Sequence, residues 1–144
     1  MTRGLALTFA ALLGIAGCST HQGLTPIQPA VGHYSTVVVE SLSPIFKWQP
    51  MSDSETRYDL AIFEKTSSGK PGKSVYYREG LQNAEHKLDE KLRPDTDYYW
   101  SVRSRRGAII GEWSTYDHKL LVPIPFGVYY QGQESLYFPF KTPP

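Results

Sequence analysis

Apolar residues recur at every second position in several short stretches of this chain, and that alternation restricts it to a fold built from strands. Phe46 and Trp48 flank Lys47, Tyr58, Leu60 and Ile62 interleave with Asp59, Ala61 and Phe63, and Tyr98, Trp100 and Val102 interleave with Tyr99, Ser101 and Arg103. Successive strand residues point to opposite sides, so each stretch offers one apolar face to a core. Val37 to Val39, Val75 to Arg78, the weaker His86 to Leu88 and the stretch Ile109 to Tyr116 extend the series. Turn-forming residues separate them: Pro50 with Ser52 to Glu55, the run Thr66 to Gly72, and Gly107. Beyond the N-terminal segment no stretch has a helical period. Short strands at about ten-residue spacing predict a seven-stranded antiparallel sandwich. Ten Tyr, six Phe and three Trp suit such pleated, half-buried surfaces.

The charge balance narrows the partners. With 15 basic and 14 acidic residues the formal net charge is +1, which does not provide the basic face that nucleic acid demands. The single cysteine, Cys18, excludes an intrachain disulfide and a cysteine-rich zinc site. Its position is more informative. Arg3 precedes an apolar run from Gly4 to Ile15, and Ala16 and Gly17 lead to Cys18. A positive start, a short apolar stretch and small residues before a cut site define a secretory signal. The run is too short to cross a ~30 Å hydrocarbon core as a helix.

Ile15-Ala16-Gly17-Cys18 resembles the bacterial lipobox. That resemblance implies a signal peptide over residues 1–17, diacylglycerol on the Cys18 sulfur, acylation such as palmitate, and a mature chain beginning at Cys18. Ser19 in the next position implies, by analogy with enteric lipoproteins, the outer membrane. Residues 18–35 hold Gly23, Pro26, Pro29 and Gly32 without periodicity and are expected to form a flexible tether. About 17 residues extend to roughly 55 Å at most.

Leu92-Arg93-Pro94-Asp95-Thr96-Asp97-Tyr98-Tyr99-Trp100-Ser101-Val102-Arg103 resembles the loop and penultimate strand of a fibronectin type III domain, an immunoglobulin-like β-sandwich. The resemblance implies that Tyr98 is a corner tyrosine, bonded back to backbone a few residues upstream. It assigns Trp48 to the core tryptophan of the second strand and Tyr58 to the inward tyrosine of the third. Gly111-Glu112-Trp113-Ser114 resembles the start of the last strand. The domain is expected over residues 36–119, with Phe46, Trp48, Tyr58, Leu92, Tyr98 and Trp100 as core landmarks. The family's Arg-Gly-Asp tripeptide is missing, so integrin binding is not carried over.

Gly72-Lys73-Ser74 has the tail of a phosphate-binding loop, but Ser67 stands where a glycine is needed and the stretch joins two strands. His21, His33, His86 and His118 have no metal-ligand spacing, so no metal and no cofactor beyond the covalent lipid is expected. Asp89 with Glu90, and Asp95 with Asp97, read as turn formers and solvated charges. Arg103 and Arg105 share the outward face of one strand, with Trp113 on the neighbouring strand, which predicts either a self-satisfied Arg–Trp ladder or a ligand-facing patch. Residues 120–144 form an aromatic and proline-rich extension. Phe126, Tyr129, Tyr130, Tyr137, Phe138 and Phe140 there predict either an extra hairpin, Gly127–Gln131 with Ser135–Phe140 turning near Gly132, or a docking surface.

The sequence therefore predicts a lipid-anchored, non-catalytic module of the bacterial envelope. Its partners would be the membrane and another envelope protein, with no role for nucleic acid. A carbohydrate- or peptidoglycan-contacting module is the first alternative, and an envelope hydrolase the second.

Overall fold

A computed structural model describes residues 21–32, 36–125 and 127–144. These residues are all-β, with no helix among them. The strands are β1 (His21–Gln22), β2 (Pro26–Gln28), β3 (Val37–Val38), β4 (Ile45–Trp48), β5 (Arg57–Lys65), β6 (Pro71–Leu81), β7 (Glu85–Lys87), β8 (Asp97–Arg106), β9 (Ile109–Ile110), β10 (Thr115–Ile124), β11 (Gly127–Leu136) and β12 (Phe138–Lys141). The expected seven strands are thus twelve among the described residues: β1, β2, β11 and β12 are added at the two ends, and the expected strand Ile109 to Tyr116 is divided into β9 and β10 by residues 111–114.

A small sheet runs β2-β4-β7, and a larger one runs β3-β12-β8-β5-β6 with β9 attached to β8. A third sheet, β1-β10-β11, completes the set. The small and large sheets share one apolar layer. Phe46 of β4 meets Trp100 of β8 with ring centres 5.1 Å apart and Phe140 of β12 at 5.4 Å. Trp48 packs edge-on against Tyr58 at 5.3 Å. Phe46, Trp48, Tyr58, Leu92, Tyr98 and Trp100 are all buried, with Leu60, Ile62, Val102 and Phe138 around them.

The indole N–H groups of Trp48 and Trp100 are buried without a hydrogen-bond partner among the described residues. Leaving such a donor unmade costs about 1–3 kcal/mol. Burying the 150–250 Å² of a Trp at about 25 cal/mol per Å² returns about 4–6 kcal/mol, so the rings stay inside.

The turn before β8 is fastened from two sides. The Tyr98 hydroxyl accepts a hydrogen bond from the Arg93 backbone N–H at 3.2 Å. Thr142, just past β12, donates its hydroxyl to the Arg93 carbonyl at 2.6 Å and accepts from the Thr96 N–H at 2.9 Å. Asp95 takes the left-handed conformation (φ 46°) that lets this turn close.

Two expectations about the ends of the domain are corrected. The boundary drawn at residue 119 falls inside β10. The hairpin pairs Thr115–Ile124 with Gly127–Leu136, not Gly127–Gln131 with Ser135–Phe140. Phe138 and Phe140 instead belong to β12, which pairs antiparallel with β8 and parallel with β3. Their burial alternates with that of Pro139 and Lys141, as a core strand requires. The second correction concerns the tether. Residues 21–28 supply β1, paired with β10, and β2, paired with β4. Leu24 is buried in the core and donates its N–H to Ser114 Oγ at 2.7 Å. Gly23 permits this approach: its φ is +82°, and a Cβ there would lie 2.6 Å from Ser114 Oγ. Residues 18–20 and 33–35 of the expected tether lie outside the described residues.

Candidate functional site

The outer face of the large sheet carries a charged and aromatic cluster. Asp59 alternates with the core residues of β5, so its side chain leaves the core, yet it is fully buried. The register sets Asp59 opposite Arg103 of β8. Arg103 Nε donates to Asp59 Oδ2 at 2.9 Å and Arg105 Nη2 to the same oxygen at 2.8 Å. The Gly80 N–H adds a bond to Oδ1 at 3.1 Å. Burial alone would raise the Asp59 pKa, but the bonds from Arg105, Gly80 and Arg103 together hold it below the ordinary carboxylate value. Arg105 is raised in turn, first by its bond to Asp59.

Arg103 does double duty. Its guanidinium carbon lies 4.5 Å from the centre of the Trp113 ring. Trp113 also meets Tyr77 of β6 edge-on at 6.4 Å. Tyr77 is 41% exposed, while Ile110, on β9 at the other side of β8, is 45% exposed. Asp59, Arg103, Trp113 and Tyr77 therefore form a row whose buried end is ionic and whose outer end is aromatic. Arg105 reaches Glu79 of β6 at 3.1 Å and closes the row laterally. A row of this kind can stack a flat group or pack an apolar side chain, with both arginines held in place by Asp59.

A second cluster joins β6 to the β7 region. The Tyr76 hydroxyl donates to Asp89 Oδ1 at 2.8 Å and stands 2.7 Å from His86 Nε2. The phenol has a single proton, so His86 Nε2 is the donor in the second contact. Arg78 pairs with Asp89 and lies 4.9 Å over the Tyr76 ring. Burial, followed by the bond to Asp89, pushes the Tyr76 pKa up to about 12. Burial and the nearby Arg78 lower that of His86 against the pull of Asp89. A phenol held protonated and a histidine held neutral make a clasp between the two sheets' edges, not an activated nucleophile.

The remaining sequence candidates are scattered. Cys18 and Phe126 lie outside the described residues. Tyr129 and Tyr130 sit on β11 opposite Val122 and Leu121. Tyr137 is half-buried and stacks on Phe63 at 5.2 Å, beside a hollow of about 510 Å³ that Lys70, Gly72 and Leu136 also line. Phe138 and Phe140 are fully buried, which removes them as docking residues. Gly72, Lys73 and Ser74 lie within β6, with no helix start beside them to hold phosphate. Among the described residues no group of three or more His, Cys, Asp or Glu is placed to hold a metal ion.

Sequence reasoning missed two of these features. Alternation marks Asp59 only as part of the polar half of its strand. Two arginines two residues apart on one strand face, Arg103 and Arg105, were the available signal that a counter-charge must lie beside them. Asp89 was read as a solvated turn residue, and its pairing across eleven positions with Arg78 left no local pattern.

Compared with known proteins, the chain matches no family model, no curated protein and no solved structure.

Proposed function

We propose that this chain is a lipid-anchored, non-catalytic module of the bacterial envelope, which holds another protein near the membrane through the outer face of its large sheet. The observation that carries the reading is the Asp59–Arg103–Trp113–Tyr77 row, which fixes its charges internally and turns an aromatic end outward. Trp, Tyr and Arg dominate the energetics of protein interfaces when they are held rigidly in place. The exposed Ile110, opposite Arg105, extends the same face.

A fibronectin type III sandwich is the finer reading of the fold. Its support is strand order: β2-β4-β7 faces a sheet in which β6, β5 and β8 lie side by side and β12 takes the place of the last strand. The anchor reading rests on the lipobox-like Ile15 to Cys18.

Two experiments test the proposal. Replacing Cys18 with Ala should release the protein from the membrane fraction, and retention would overturn the anchor. A photo-crosslinking residue at Tyr77 should capture one protein partner in intact cells, whereas one at the exposed Lys91 should not. Equal capture at both positions, or at neither, would remove the docking face.

The stacked Phe63–Tyr137 pair beside its hollow favours a second reading, contact with a sugar ring of the cell wall. Retention on isolated sacculi that is lost in Tyr137→Ala would support it over the first.

A further inference from the structure

We infer that the tip of the β10–β11 hairpin is a second membrane contact, which dips into the same lipid leaflet that holds the anchor. The inference rests on the anchored reading above and adds to it a place on the fold and an orientation.

The first observation is the distribution of charge along the hairpin. Residues 120–130 read Leu-Leu-Val-Pro-Ile-Pro-Phe-Gly-Val-Tyr-Tyr, with no Asp, Glu, Lys, Arg or His. For Leu120–Ile124 and Gly127–Tyr130 the register makes this run one end of a structural element. Leu121 lies opposite Tyr130, Val122 opposite Tyr129, Pro123 opposite Val128 and Ile124 opposite Gly127. One step nearer the domain, Leu120 faces Gly132, and the next pair is Lys119 with Gln133. Both strands thus turn from polar to apolar at the same height, where the ladder also shifts register between Leu120 and Leu121.

The second observation is direction. β1 pairs antiparallel with β10, His21 opposite Tyr116 and Gln22 opposite Thr115. Its first residue, His21, is therefore the end of β1 nearer the hairpin tip. Cys18 precedes His21 by three residues, a span of ~10 Å at most. A lipid on Cys18 would tie the membrane to the side of the domain towards which the hairpin extends. Among the described residues no strand other than β1 pairs with β10 or β11 outside their own ladder.

Size and backbone chemistry set the depth. Five residues of strand rise ~16 Å, about half of a ~30 Å hydrocarbon core, so the apolar end matches one leaflet and does not span two. A two-stranded hairpin has unpaired N–H and C=O groups on its outer edges, and these are costly in hydrocarbon. Pro123 and Pro125 have no N–H to leave unpaired. Tyr129 and Tyr130 belong to the residue type enriched at the headgroup level. The balance favours shallow entry, ~5–10 Å into the headgroup and acyl boundary.

The test uses the full chain, produced with its signal, purified from membranes and reconstituted in phosphatidylethanolamine–phosphatidylglycerol vesicles. Val128→Cys carries an environment-sensitive fluorophore, and Ser68→Cys in the exposed β5–β6 loop serves as the reference. Nitroxide lipids labelled near the headgroup should quench the probe at position 128 and leave the one at 68 unchanged. Adding Val122→Glu should abolish the quenching while the melting temperature stays within a few degrees. An unquenched, water-like probe at 128 overturns the inference, as does a blue-shifted probe that lipid nitroxides fail to quench, which would signify a protein partner. Metabolic palmitate labelling reports the anchor separately. Quenching without palmitate removes the anchor and keeps the hairpin contact, and palmitate without quenching does the reverse.

Discussion

Asp59 is the residue on which the outer face of the large sheet depends. A carboxylate with no exposure survives there only because two guanidinium groups and a backbone N–H complete its shell. Removing one partner of such a group leaves the others uncompensated, typically at about 3–5 kcal/mol. Asp59→Ala should fall near the lower end, about 3 kcal/mol, because the Arg103 and Arg105 side chains are each 22% exposed and can regain water. Urea denaturation measures the loss, and near-UV circular dichroism should report a changed Trp113 environment. The pH dependence follows from the direction of the shift. The folded Asp59 binds its proton less readily than the unfolded chain does, so its contribution is complete above about pH 4 and is lost as pH falls through the lowered folded value. His86 acts in the same sense in another window. Its pKa is lowered by burial, so the unfolded chain binds the proton first, and stability should begin to fall as pH drops below about 6.5. His86→Gln should flatten that part of a melting-temperature profile between pH 7 and 5, and an unchanged slope would count against the clasp.

The informative elements are those at the two ends of the domain. β12 supplies Phe138 and Phe140 to the core, so Phe140→Ala should cost about 3–5 kcal/mol, the loss expected for a large ring in a packed interior. A surface-docking Phe would lose almost nothing, so one denaturation curve separates the two roles. At the other end, Gly23→Ala forces a side chain into a left-handed conformation, at about 1–2 kcal/mol from the backbone alone, and drives its Cβ into Ser114 Oγ. The same substitution at Gly69, also left-handed but with open space around it, should cost only the backbone part. The contrast shows what was legible in the sequence. β4, β5 and β8 announce themselves because one face is apolar over several alternations. β1 and β2 are two and three residues long, with Pro26 and Gly23 among them, and in composition they resemble a linker. β12 was hidden by the prolines around it: Pro139 removes a ladder donor, which strand reasoning penalises, although Phe-Pro-Phe-Lys has the right period.

On the scale of the whole molecule, the last strand of the large sheet is divided. Gly111 and Ser114 bond to the backbone of β8 at Ser104 and Val102, the chain then leaves as β10 and β11, and β12 returns to finish the ladder at Trp100 to Asp97. The hairpin is thus an excursion from a strand, and its outer half should be dispensable to folding. Replacing residues 119–133 with a two-residue turn shortens the excursion, and loop-closure entropy changes only slowly with length. The urea midpoint should stay close to that of the full chain, while the membrane contact inferred above disappears. A collapsed transition would show instead that the hairpin supports the core. The candidate surface was partly legible, since alternation places Arg103 and Arg105 on one face of β8; Trp113 does lie beside them, but in the irregular segment between β9 and β10 and not on a strand. Tyr77 could not be added, because its place depends on a β5–β6 register interrupted by three irregularities, and Asp59 could not, because no local pattern sets β5 beside β8.

The split strand also decides when the fold can be sealed. Val37 pairs with Phe140, a separation of 140 − 37 = 103 positions, and every other strand precedes β12 along the chain. Until β12 arrives, Phe46 and Tyr98 lack the Phe140 ring and Trp100 lacks that of Phe138. Pairings that distant form late and slowly. A polypeptide emerging N-terminus first would therefore remain unlocked over most of its length, and would close only when its last strand is made.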